Sequence, residues 1–335
     1  MSSLLMAKAA QPSPTLASLG PQWFAPTMGW GGLALAWHRA SERLGAIAID
    51  VSFACLLVAG CAFTLVLIAS LLRMLRHPHA LRDDFSHPVR HGFVAAFPIS
   101  VLILSTTALL HGAPVGLIEP VWLVGLAIQF AVTVWVIARW IGGRIAWSSI
   151  TPILYIPMVG NILVPLAGVP LGQIALSWLF FGVGAFFWPV LTALVLARLA
   201  HQPLPDRLMP TWFITIAPPA VGGLAAITLG MTAALLPAAL GLALLSAAAC
   251  VVRLPVMLKG EFAMPAWAVS FPLAALSALT LRSAPILGAA GMIDLVLLTI
   301  TTLVIIGLSL ATFRGLRSGV LLLPEPVPLP SIAKP

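Results

Sequence analysis

The sequence predicts an all-α integral membrane protein of ten transmembrane helices, arranged as five helical hairpins around a central axis, odd helices inside and even helices outside. Three observations lead there: a composition that only lipid accommodates, an alternation of basic and non-basic loops, and a proline bias between odd and even apolar runs. Of 335 residues, 61% are hydrophobic and 8% charged, against about 25% charged in ordinary soluble domains. A soluble fold must still show surface to water and cannot hide that much apolar area. A helix needs about 20 apolar residues to cross the hydrocarbon, and only helices and closed barrels satisfy their backbone groups there. Barrel strands alternate apolar and polar residues over about ten positions. The runs here are continuous and longer, so helices are predicted.

In chain order the apolar runs lie near 21–37, 47–72, 92–110, 120–140, 150–168, 171–197, 211–230, 234–252, 264–281 and 291–313. The fifth and ninth are marginal in length. The first follows a Pro/Ser-rich stretch, Gln11–Ser18, with no apolar stretch before it, so it reads as a retained helix rather than a cleaved signal. Residues 1–19 read as a cytoplasmic N-terminal segment and 20–317 as the ten-helix domain. Residues 318–335, with Pro324, Pro326, Pro328 and Pro330, read as an extended cytoplasmic tail.

The loops test this segmentation. The N-terminus, the links after even runs and the C-terminus hold Lys8, Arg73, Arg76, Arg82, Arg90, Arg139, Arg144, Arg198, Arg207, Arg253, Lys259, Arg314, Arg317 and Lys334, fourteen of the seventeen basic residues. The opposite side holds only Arg39, Arg43 and Arg282. Cytoplasmic loops carry such an excess, so both termini are expected in the cytoplasm, in the cell (inner) membrane, with an even number of spans. The formal net charge of +8 therefore reads as topology control, with no nucleic-acid partner. Cys55, Cys61 and Cys250 all fall inside apolar runs and read as small core residues rather than disulfide or metal partners.

The odd runs carry Pro26, Pro98, Pro157, Pro165, Pro218, Pro219 and Pro272, whereas Pro189 and Pro237 are the main even-run cases. A proline inside a helix removes a backbone donor and frees a carbonyl four residues earlier. In a membrane such a carbonyl is tolerated where protein or a water-filled cavity meets it. The odd helices are therefore expected to form an inner layer, with lipid as the partner of the outer one.

The interior offers neutral polar groups only, among them Thr106, Gln129, Thr133, Asn161, Ser177, Thr192, Thr215, Thr228, Ser270, Ser277 and Thr299; Asp50, Glu119 and Asp294 sit at run ends. Proton-coupled carriers keep ionisable residues at membrane depth, and their absence fits a passive pathway controlled by pore width and vestibule charge. No Ser/His/Asp set or metal-spaced histidine pair lies at depth, so neither an enzyme nor a cofactor is expected. The loop between the second and third runs, with His77, His79, His87, His91, Asp83 and Asp84, reads as a solvated basic cytoplasmic loop rather than a metal site. Its Arg82 and Arg90 would draw anions to the cytoplasmic mouth.

Five segments carry a family resemblance in order: SHPVRHGFVAAFPISVLIL at 86–104, IPMVGNILVPLAG at 156–168, WLFFGVGAFFWPVL at 178–191, IAPPAVGG at 216–223 and WAVSFPLAALSAL at 267–279. Together they resemble the tellurite-resistance/dicarboxylate transporter family, which includes bacterial TehA and the slow-type anion channels of plants. The resemblance implies ten helices in five hairpins, odd helices lining a central pore, a homotrimer with one pore per subunit, and small anions as the transported partners. It also implies that Phe271, through WAVSFP, closes the pore. Pro272 stands where the bacterial pattern has glycine and the plant pattern proline, and the long regulatory termini of the plant channels are missing. The leading expectation is an anion channel or facilitator whose uncharged pore, lined at the kinks Pro26, Pro98, Pro157, Pro218, Pro219 and Pro272, passes weakly hydrated monovalent anions. The alternative is a secondary carrier for tellurite, sulfite or a C4-dicarboxylate such as malate.

Overall fold

The computed structural model describes residues 15–143, 147–257, 259–287 and 292–323. The expectations for residues 1–14, for Arg144 and for the tail from 324 onward lie outside these residues. Among the described residues all regular structure is helical. The elements are α1 Ala25–Leu44, α2 Ala46–Arg76, α3 Arg90–Leu110, α4 Val115–Ile141, the segment α5 at 152–168, α6 Ile174–His201, α7 Asp206–Thr228, α8 Leu235–Met257, α9 Met264–Ile286 and α10 Ile293–Arg317. A short helix, Pro78–Ser86, sits in the loop after α2.

Eight of these elements are long and apolar enough to cross a membrane; α1 and α5 are not among them. In α1 the glycines and the polar end from His38 to Arg43 lower the hydropathy. In α5 there is no continuous helix, only the short pieces Pro152–Leu154, Tyr155–Met158, Gly160–Leu163 and Pro165–Gly168. The ninth run, marginal on length, meets the criterion as α9.

Burial sorts the elements in two. The central windows of α3, α7 and α9 are 67%, 67% and 83% buried, against 39% or less for α2, α4, α6, α8 and α10. Most of α1 up to Ala36 and nearly all of α5 are also buried. Each buried element packs on the next, α1 on α3, α3 on α5, α5 on α7, α7 on α9, and α9 back on α1. Each exposed helix packs on the buried element that precedes it in the chain.

The prolines explain how the buried set is wound. Pro26, Pro98, Pro157, Pro165, Pro218, Pro219 and Pro272 each occupy one of the first three positions of an α-helical segment. The N–H groups of a first turn have no partner within the helix, so proline removes nothing there. The turn before is often 3₁₀, as in Asp206–Ile216 of α7 and Met264–Val269 of α9. In α5 the interrupted backbone leaves carbonyls that neighbours satisfy. Thr133 Oγ1 donates to the Pro157 carbonyl at 2.6 Å, Gln129 Nε2 to the same oxygen at 3.1 Å, and Asn161 Nδ2 to the Met158 carbonyl at 2.8 Å. The buried Gln129, Thr133 and Asn161 are thus backbone partners of a broken helix, which answers the demand an apolar medium places on every carbonyl.

Close approach needs small residues. A Cβ on Gly184 of α6 would sit 2.6 Å from the Ile162 backbone nitrogen, so α6 lies directly on the α5 main chain. Hydroxyls on α10 hold the inner elements: the indole N–H groups of Trp30, Trp37 and Trp267 donate to Ser309, Thr302 and Thr312 at 2.8–3.1 Å.

Candidate functional site

Two cavities lie along the axis of the buried elements. The first, about 70 Å³, is bounded by the N-terminal halves of these elements: Ala25 and Met28 of α1, Phe93 and Ile99 of α3, Tyr155 to Leu163 of α5, Ile214 to Val221 of α7, and Trp267 to Pro272 of α9. Its walls are apolar. The second, about 330 Å³, is bounded by their C-terminal halves: Gly32 to Arg39, Thr106 and Leu110, Leu166, Val221 to Thr228, and Phe271 to Arg282. Only Phe271 and Val221 belong to both linings.

Phe271 packs against α1. A Cβ on Gly32 would lie 2.8 Å from Phe271 Cδ2, so the ring rests against a bare backbone position. Gly29 gives the same clearance to Ser270 Oγ, and Gly31 to Ile103 of α3. The stretch Gly29-Trp30-Gly31-Gly32 therefore lets α1 approach both α9 and α3. Sequence reasoning did not single out these glycines, although a Gly-x-Gly-Gly run on an inner helix is a legible signal of close helix contact.

Of the other residues singled out from sequence, Pro218 and Pro272 border the first cavity. Pro219 faces a separate, largely apolar cavity of about 1200 Å³ bounded by α6, α7 and α8. Pro26, Pro98 and Pro157 lie behind the walls: their neighbours Ala25, Ile99 and Ile156 do the lining. Neither Arg82 nor Arg90 borders the axial cavities. Arg82 is exposed on the short loop helix. Arg90 Nη1 lies 3.2 Å from Asp84 Oδ1, and the other Asp84 oxygen accepts from Arg73 Nη1. This buried cluster ties the loop to the end of α2. The loop histidines do separate work: His87 Nδ1 accepts the N–H groups of Val89 and Arg90, both at 3.1 Å, and His91 Nδ1 is paired with the His87 carbonyl at 2.9 Å.

The basic residues that do reach the axis include two of the three on the side opposite the fourteen. His38, Arg39 and Arg282 line the second cavity, and no carboxylate does. Beside it, His111 closes the end of α3. The hydroxyl hydrogen of Ser52 goes to the Ala34 carbonyl at 2.7 Å, so His111 Nε2 donates its own N–H to Ser52 Oγ at 2.9 Å. Burial, and then the charge of His38 against it, push the His111 pKa below the usual histidine value.

A family model described as SLAC1, voltage-dependent anion channel, matches residues 18–313, almost the whole helical region. The chain belongs to the SLAC1 family. It is thus an integral membrane protein of a transporter and channel family rather than an enzyme family. It is 28% identical over 219 residues to an uncharacterized transporter of Methanocaldococcus jannaschii, covering 62% of this chain and 64% of that one. It is 27% identical over 255 residues to the S-type anion channel SLAH2 of Arabidopsis thaliana, covering 73% of this chain and 49% of that one. To a tellurite resistance protein TehA homolog of Haemophilus influenzae it is 26% identical over 197 residues, covering 58% of this chain and 60% of that one. In each case the aligned region spans under two thirds of the relative's own length.

Proposed function

We propose that the protein is an anion channel or facilitator, and that small monovalent anions pass along the axis enclosed by α1, α3, α5, α7 and α9. In this reading the ten elements form five hairpins, the odd members inside and the even ones against lipid. Both termini face the cytoplasm across the cell (inner) membrane, and the working unit is a homotrimer with a pore in each subunit. The observation that carries it is that two cavities enclosed by the buried elements, one apolar and one bearing His38, Arg39 and Arg282, share Phe271 and Val221 in their linings. Supporting it are the family membership, the buried ring of odd elements and the fourteen-to-three split of basic residues. Phe271 is the gate, with its ring parked against Gly32. The prolines act less as kinks in the wall than as starting points of the α-helical half of each inner element. An apolar first cavity cannot repay the dehydration of strongly hydrated or divalent anions, which sets the selectivity toward weakly hydrated monovalent ones.

The test is anion flux into liposomes, or currents in oocytes, for the wild type and Phe271→Ala. Removing the ring joins the two cavities and raises conductance well above the wild type. An unchanged conductance at normal expression would remove the gate assignment. The second reading is a secondary carrier for tellurite, sulfite or a C4-dicarboxylate such as malate; the name of the Haemophilus influenzae relative supports its tellurite part. Saturable uptake driven by a proton gradient, without current, would select it.

A further inference from the structure

Three basic residues stand on the side of the chain opposite the fourteen, namely Arg39, Arg43 and Arg282. Two have carboxylate partners. Arg43 Nη1 lies 2.7 Å from the buried Asp294, and Arg39 Nη1 lies 3.0 Å from Glu42. Arg282 is half-buried in the wall of the second cavity and has no hydrogen bond or ion pair among the described residues. A guanidinium facing a confined aqueous space raises the local concentration of anions there, and no lining residue of this cavity supplies a competing carboxylate.

The column beneath Arg282 is clear. Phe271, Ala274, Ala275, Ala278 and Arg282 all line the cavity, and their spacing puts them on one helix face. Phe271 and Arg282 are therefore about 16 Å apart along α9, at about 1.5 Å rise per residue. Alanines alone stand between them. His38 and Gly32 face this column from α1. A cavity of about 330 Å³ holds roughly ten waters at about 30 Å³ each, so an ion there keeps much of its hydration.

We infer that this second cavity is an anion-capture site in which Arg282 is the counter-charge for one small monovalent anion, held partly hydrated beside Phe271. Weak, hydrated binding suits a conduction pathway, where an ion must both enter and leave. The inference rests on the channel reading above, and it gives the axial pathway a site for the anion before the gate.

Two measurements separate the site from the gate. In purified full-length protein, thermal unfolding is followed against sodium nitrate, with gluconate holding ionic strength constant. The wild-type midpoint rises with nitrate. In Arg282→Gln the rise is lost, and in Arg282→Lys, which keeps the charge, most of it returns. In the Phe271→Ala background, Arg282→Gln raises the half-saturating nitrate concentration for liposome flux from the Arg282 side roughly three- to tenfold, as expected for losing one nearby charge in a wet cavity. The difference shrinks near 1 M salt, where screening acts within about 3 Å. A nitrate-dependent midpoint and a half-saturation that both survive Arg282→Gln would overturn the inference while leaving the gate intact. A midpoint shift that needs Arg282, in a protein where Phe271→Ala carries no flux, would keep the site and remove the gate.

Discussion

Gly32→Ala tests the proposed gate without changing Phe271 itself. The added Cβ would stand 2.8 Å from Phe271 Cδ2, 3.2 Å from Ala274 Cβ and 3.4 Å from Phe271 Cε2. Ordinary carbon–carbon contacts lie at about 3.5–4.0 Å, so the ring must withdraw by about 0.7–1.2 Å or rotate away. Overpacking of this kind costs about 1–3 kcal/mol. If the strain is relieved when the ring leaves the axis, the closed arrangement loses that amount relative to the open one. A shift of 1–3 kcal/mol moves such an equilibrium by roughly 5- to 150-fold. Single-channel recording in planar bilayers reads this as a rise in open probability with unit conductance unchanged. Gly31→Ala is the control, because its Cβ would meet Ile103 Cγ2 at 2.5 Å and not Phe271. It carries a comparable steric cost, so it should lower thermal stability while leaving open probability alone. Combined with Phe271→Ala, the Gly32→Ala effect should vanish, since neighbouring residues acting through one contact are not additive. The reasoning fails if Gly31→Ala and Gly32→Ala open the channel equally, or if Gly32→Ala still acts once the ring is gone.

Two further outcomes are expected. Asp84→Asn leaves Arg73 and Arg90 without their shared carboxylate in a buried site, and removing one partner of a buried ion pair costs about 3–5 kcal/mol; the readout is a large fall in unfolding midpoint in detergent, whereas Asp83→Asn on the exposed face of the same short helix should change it little. His111, held neutral by burial beside His38, takes up a proton more readily when unfolded than when folded. Its contribution to stability is therefore present above the unfolded value of about 6.5 and is lost as pH falls through the lower folded one. Unfolding midpoints measured from pH 8 to pH 5 should decline, and His111→Gln should flatten that decline.

Much of this molecule was legible in one dimension. Hydropathy reports the solvent each run prefers, so the exposed helices α2, α4, α6, α8 and α10 were plain from their uninterrupted apolar sequence. The buried elements were harder to read as helices, because burial within protein tolerates glycine, proline and polar side chains that lipid does not. That is why α1 and α5 fall short on length or hydropathy, and also why the proline bias pointed to them. The motif around Phe271 marked a position but not its neighbours.

What the sequence by itself determined is therefore the solvent of each segment, the number of basic residues in each loop and the identity of a bulky residue at a helix start. The rest depended on tertiary structure, because it consists of contacts between residues far apart in the chain. Gly32 meets Phe271, Thr133 serves the carbonyl of Pro157, and Arg90 is drawn to Asp84 instead of standing free at a mouth. Loop charge counts record how many cations lie on a side; only the fold decides which of them finds a carboxylate. By that decision Arg39 and Arg43 are paired, while Arg282 faces the axial cavity with its charge unanswered by any described residue.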